Sequence, residues 1–489
     1  MRTLRNLPGQ GKLRHSPPSF GVSPIAANSI GRRQAIGVIA AATGGLIAAS
    51  IGCSRGAQTA APPTSPSPPS LPVGTFNPSA ADLAFLDTLE QQSCLYFWEQ
   101  MSPATGQVLD HAANNLSGQL DPTTTESSIA ATGFGLTALC IADQRGYLTN
   151  AYGYAANVTH AQIVARVQTA LSFHLNSMPN QNGFFYHFND SNTGQPLAGV
   201  EVSAIDTAWL MCGVLAARAY FNDPSITSLA TQLYQRVNWQ WMLNGGQTFA
   251  MAWYPSTSAT PGFTSYRYDT YCELMALYLL AFGSPTFPIP ASSWAAIARP
   301  ILTYEGYSYI SNNADPLFTH QWSHAWFDFR SKSDAFANYF TNSISATQAH
   351  ETFCIMTYPN WYSENYWGIT ASMSAKGYEA WGGPPAQGPI DGTVVPCAAA
   401  GSLVFLPNQC LHVLEALYAN WKSTPAWGRY GFVDAFNANA SPTWFNSTCL
   451  GIDLGITVLM IENLRTGMVW NTFMSNPEPT SAMQLVGFH

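Results

Sequence analysis

The stretch GVEVSAIDTAWLMCGVLAARAYF, residues 199–221, decides how the chain folds. From Val202 to Leu215 its apolar residues fall on almost every side of a 3.6-residue helix, so the spacing predicts a helix buried all round. Yet Glu201 opens this stretch and Asp206 follows about 140° round the helix. A buried carboxylate without a partner is costly, so either these two satisfy other buried groups or the helix start opens into a polar cavity. For Asp206 the capping or bracing reading is the stronger.

The same pattern recurs on both sides. SSIAATGFGLTALCIADQRGY (127–147) is apolar all round and follows Glu126, whereas THAQIVARVQTALSFHLNSM (159–178) has one apolar face. Helical patterns also cover 82–101, 224–243, 268–283, 348–358 and 408–421. Alternation of fully apolar and amphipathic helices predicts an all-α double ring, an α/α barrel, with buried inner helices and half-exposed outer ones. Strict alternation is confined to short pieces, GFFYHF (183–188), FAMAWY (249–254) and GTVVPC (392–397), expected as β hairpins in loops. Glu126, Glu201, Asp269 and Glu273 all stand where a loop runs into such a helix. The helix dipole favours acids there by about 0.3–1 kcal/mol, which is the structural reading of Glu126 and Glu201.

The first 78 residues differ from the rest. They hold 7 of the 19 basic residues and none of the 27 acidic ones. Arg32 and Arg33 precede the apolar run QAIGVIAAATGGLIAASIGC, which ends at Cys53. Residues 1–53 therefore read as an export signal of twin-arginine type with a lipoprotein-like box, and Cys53 as the lipid attachment. Residues 54–78 read as a Pro-rich tether, leaving 79–489 as the working domain, exported to the periplasm or cell surface. That domain carries a net charge of −15, from 27 acidic and 12 basic residues, which disfavours nucleic acid as a partner. Membrane contact is expected only through the N-terminal signal or anchor. Charged residues make up 9% of the chain and aromatics 13%, a balance that permits sugar binding. No Cys-x-x-Cys pair occurs, and the cysteines in apolar helices read as free thiols.

Taken in order, the segments resemble the glycoamylase-like domain family. This group includes the endo-β-1,2-glucanases of glycoside hydrolase family 144 and the transglycosylase domain of cyclic β-1,2-glucan synthases. Matching stretches run from about 127 to 470, among them SSIAATGFGLTALCIADQRGY, EVSAIDTAWLMCGVL, LFTHQWSHAWFDFR, DGTVVPCAAAGSLVFLP and GIDLGITVLMIENLRTGMVW. The resemblance implies an (α/α)6 barrel. It also implies an oligo- or polysaccharide substrate, with endo-hydrolysis of β-1,2-glucan as the leading reaction. A glucosidase or transglycosylase of other linkage is the alternative within that class. A lipoprotein that binds glycans without cleaving them is the alternative outside it. The chain departs from the family at Asn238 and at Met373.

Glycoside hydrolysis uses two carboxyl groups, one to protonate the leaving oxygen and one to activate water or attack carbon. Glu201, at the family's E-[IV]-S-x-I-D-T-A motif, is expected as the acid. Asp391, in DGTVVP, is expected as the base, with a turn aspartate beside Gly392 as its structural reading. Glu126 and Glu273 compete for that second role. HQWSHAWFD (320–328) spaces His320, His324 and Asp328 like metal ligands, but lacks the glutamate and third ligand of a zinc site. Those three, with Trp322 and Trp326, are expected instead as a sugar-contacting wall or a bonded core. Trp253, Tyr268 and Trp367 are further stacking candidates. Neither a metal nor an organic cofactor is called for.

Overall fold

The computed structural model describes residues 76–489 apart from 117, 312–315 and 385–389. The expected export signal, Cys53 and nearly all of the tether lie outside the described residues. Twelve helices carry the architecture: α1 (Ala80–Glu99), α2 (Ile129–Arg145), α3 (His160–Asn176), α4 (Ala204–Phe221), α5 (Pro224–Arg236), α6 (Met275–Gly283), α7 (Trp322–Trp326), α8 (Tyr339–Thr352), α9 (Pro396–Ala400), α10 (Pro407–Trp421), α11 (Gly451–Arg465) and α12 (Pro477–Leu485). The even-numbered α2, α4 and α6, with α7, α9 and α11, form the inner ring of an (α/α)6 barrel. The remaining helices lie outside it.

Burial follows the sequence pattern. Every residue of α4 from Ala204 to Ala217 is buried, as is every residue of α2 from Ile129 to Ala142. The outer helix α3 buries Ile163, Val167, Ala170 and Leu171, one stripe at helical spacing. Its start is fixed by a capping box between Thr159 and Gln162. The inner helices approach closely through glycine. A Cβ on Gly133 would stand 2.2 Å from the Trp209 carbonyl oxygen, and one on Gly213 would stand 2.0 Å from that of Gly133. No side chain fits between α2 and α4 at this crossing.

Three starts differ from the sequence expectation. Glu201 is outside the helix: residues Val202–Ser203 form a strand and α4 begins at Ala204, capped by Ser203. Glu126 likewise begins the strand Glu126–Ser128, and Ser128 caps α2. α6 begins at Met275 rather than 268, because Arg267–Tyr268 pair with Phe249–Ala250. GTVVPC makes only a bridge from Val394 to Phe436 before α9 begins at Pro396. The sheets are small, of two or three strands; several are hairpins in loops, as expected, whereas His111–Ala113 pairs with Thr448–Leu450 and Glu126–Ser128 with Phe188–Asp190 across the chain. All eight described cysteines are buried free thiols.

Candidate active site

The N-terminal ends of all six inner helices meet at one cavity of about 760 Å³. Each helix contributes residues at or just before its first turn: Ser128, Asp206, Glu273, Trp322, Cys397 and Asp453. Converging helix N-termini present partial positive charge, which lowers the cost of gathering acids in a confined space. Five carboxylates line the cavity: Asp110, Glu201, Asp206, Glu273 and Asp453. Asp206 and Asp453 occupy the same third position of their helices, in the parallel sequences AID (204–206) and GID (451–453).

Glu201 sits at the centre of a bonded cluster. Nδ1 of His187 lies 2.8 Å from its Oε1, and the His187 backbone N–H donates to its carbonyl at 3.0 Å. Nε2 of the same imidazole lies 3.5 Å from Oδ1 of Asp206. Ser203 both caps α4 and reaches the other Asp206 oxygen at 2.5 Å. Burial alone would lower the His187 proton affinity. The Asp206 charge and the Glu201 hydrogen bond and charge, with a contribution from Asp110, outweigh it and hold His187 at about 9. His187 is thus an imidazolium at neutral pH. Burial raises the Asp206 carboxyl above its ordinary value, and His187 opposes the rise.

Of the residues expected from sequence, the cavity brings together Glu201, Glu273, Tyr268 and Trp322. The others are placed elsewhere. Glu126 is buried next door: its carboxylate, with Asp110 and His111, offers ligand atoms within 4.8 Å of one another, though His111 already pairs with Asp110 at 3.1 Å. Asp391 lies outside the lining. Its carboxylate accepts from the Thr393 N–H and hydroxyl at 3.0 and 2.7 Å, so it closes its own Asp-Gly turn.

The expected wall at 320–328 is corrected in part. The segment is a 3-10 turn (Leu317–His320) followed by the short α7, which ends at Trp326, so His320, His324 and Asp328 do not share a helix face. His320 contacts the Tyr271 hydroxyl at 3.2 Å, and His324 contacts Ser343 at 3.1 Å. Burial depresses His324 to about 3, which keeps it neutral. Trp326 is enclosed, stacked on Trp209 and donating to Thr137 at 2.9 Å. Asp328 pairs with Arg330, and Trp367 is fully buried beside His350. Phe318 and Trp322 are the members of this region that face the cavity.

Trp253 is displaced by strand phase. In the strand Ala252–Tyr254, Ala252 and Tyr254 line the cavity, and Trp253 turns away to pack on Trp241. Tyr254 is therefore the aromatic that the two-residue period of FAMAWY should have selected. Tyr266 and Phe263 follow it on the same wall, and Tyr378 faces in from the hairpin that carries Met373. Asp110, His187 and Asp453 were missed. Asp453 had a signal in the repeated I-D at a helix start. Asp110 and His187 had none, because only tertiary pairing brings them to Glu201.

An aromatic-walled cavity with several acids and one buried cation suits acid–base chemistry on a neutral, hydroxyl-rich substrate. Comparison with known proteins agrees. The family described as "Putative glucoamylase" matches residues 265–477. A curated relative from Parabacteroides distasonis, an exo beta-1,2-glucooligosaccharide sophorohydrolase, is 27% identical over 442 residues, which cover 83% of this chain. The chain spans 58% of that relative's length. Among solved structures, the endo-beta-1,2-glucanase from Chitinophaga pinensis, in complex with sophorotriose and glucose, is 25% identical with a TM-score of 0.74, over 84% of this chain and 99% of that one. A beta-1,2-glucanase from Parabacteroides distasonis is 25% identical with a TM-score of 0.73, over 84% of this chain and 61% of that one. The chain is similar to the glycoamylase-like proteins, as its motifs indicate.

Proposed function

We propose that this protein is a glycoside hydrolase that cleaves β-1,2-linked glucan by two-carboxylate acid–base chemistry. The observation that carries the reading is the gathering of Glu201 and Glu273 on one aromatic-walled cavity at the inner-helix N-termini. Glu201 is the acid that protonates the leaving oxygen. It shares one buried space with Asp206 and Asp110. Glu273 replaces Asp391 as the second carboxylate, because it shares the cavity and Asp391 does not. Tyr254, Tyr266 and Trp322 offer ring faces for glucose units. The similarity to enzymes named for β-1,2-glucan supports that linkage over others.

Cleavage is endo, and the enzyme works outside the cytoplasm, carried there by residues 1–53 and held off the membrane by the tether at 54–78. The basic, acid-free N-terminus supports this placement. Incubating the purified protein with linear β-1,2-, β-1,3- and β-1,4-glucan and soluble starch, with chromatography of the products, tests the reading. Falling polymer length with mixed oligosaccharides from β-1,2-glucan alone is expected. Release of disaccharide alone from chain ends would replace endo with exo cleavage. Cleavage of another glucan, or of none, would overturn the linkage or the activity.

A further inference from the structure

We propose that His187 is the positioning residue of this site, fixing the Glu201 carboxylate and joining it to Asp206 as one unit. The inference rests on the reading of Glu201 as the acid. Its geometry stands apart from that reading. His187 bonds Glu201 twice, through main chain at 3.0 Å and through Nδ1 at 2.8 Å. Its own carbonyl accepts the first N–H of α2, from Ile129, at 3.3 Å. The ring stacks on Phe188 with centroids 3.8 Å apart and planes 17° apart, so it cannot swing out without losing that contact. His187 therefore ties the start of one inner helix, through its carbonyl, to the acids at the start of the next, through its ring.

Charge explains why a cation stands here. Glu201, Asp206 and Asp110 all face the ring. Three acids in a buried space repel, and an imidazolium among them lets more than one stay ionised without moving apart. It also makes Glu201 a readier proton donor than its acidic neighbours alone would allow, since a cation favours the deprotonated product of the transfer.

Two variants separate position from charge. His187→Asn keeps an N–H donor near the place of Nδ1 but removes the cation, whereas His187→Ala removes both. On β-1,2-glucan, kcat is expected to fall about tenfold in His187→Asn and at least about 100-fold in His187→Ala, with KM changed little in both. In His187→Asn the basic limb of the kcat/KM profile is expected to move up by roughly one pH unit, because the acid loses its neighbouring cation. An unmoved limb, with activity lost only in proportion to unfolded protein, would reduce His187 to a structural group and overturn the proposal. Ring-nitrogen NMR titration supplies the readout that needs no activity. The His187 midpoint is expected near 9 in the native protein and lower in Glu201→Gln. A midpoint unaffected by that substitution would break the pair itself. A native protein inactive on every glucan, but with the titration as expected, would refute the proposed reaction and leave the pairing intact.

Discussion

Both ends of the inner ring gather acids, five at one and three at the other, and use them differently. At the helix N-termini, Asp110, Glu201, Asp206, Glu273 and Asp453 surround a cavity, and the first three share one buried imidazolium. At the opposite end, Asp87, Glu90 and Glu462 meet the last-turn residues Arg145 and Arg465. Arg465 contacts both Asp87 and Glu90, and Tyr147 donates to the same two carboxylates at 3.0 and 2.8 Å. Arg145 lies 2.8 Å from Glu462. Burial and the Glu462 charge push the Glu90 carboxyl up, and Arg465 pulls it back. Balanced charge there fastens α1 to α2 and α11; surplus acid at the other end leaves groups able to carry a proton to a ligand.

Substitutions at the two ends should therefore fail in different ways. Glu201→Gln is expected to lower kcat by about 10³–10⁴-fold on β-1,2-glucan while the melting temperature stays near the native value. A matching loss of stability would put Glu201 in the same class as Glu90. Arg465→Ala should do the reverse, destabilising the fold by about 3–5 kcal/mol in denaturant titration because it strands buried acids, with kcat per folded molecule unchanged. Between the ends, Gly213→Ala forces apart α2 and α4 and should cost about 1–3 kcal/mol, read in the same titration. At the cavity wall, Tyr254→Ala should raise KM about tenfold, and Trp253→Ala should affect stability rather than KM. An equal KM effect at Trp253 would mean that the strand phase differs with sugar bound.

A further expected effect is on stability against pH. His187 binds its proton more tightly folded, at about 9, than its ordinary 6.5. Its contribution to stability is thus full below about pH 6.5 and is lost as pH rises through about 9. Melting temperature should fall over that window, and the fall should be shallower in His187→Asn. An equal fall in both would assign the window to other groups.

Much of this was legible in the sequence. The all-round apolar pattern of 201–217 against the one-faced pattern of 159–178 separates inner from outer helices, because burial on one side or all sides is a local property of the residue string. The acids ahead of the buried helices also point to the cavity end. Glu126 and Glu201 show where local reading stops. Each stands two residues before a capping serine, in ESS and EVS, and each begins or precedes a short strand. One lines the cavity and the other lies buried against Asp110 and His111, a difference set by the strands they meet. Asp391 and the 320–328 segment took the structural of their two readings, a turn and a bonded core, with Trp322 the member that also reaches the cavity.

Glucan is expected to bind at the acid-lined end of the barrel with Glu201 at the bond to be cut. A crystal structure of Glu201→Gln with a β-1,2-linked gluco-oligosaccharide tests it most directly. Sugar rings are expected against Tyr254 and Trp322, with a glycosidic oxygen within hydrogen-bonding distance of residue 201. A well-ordered oligosaccharide seated elsewhere, with the cavity filled only by water, would contradict it.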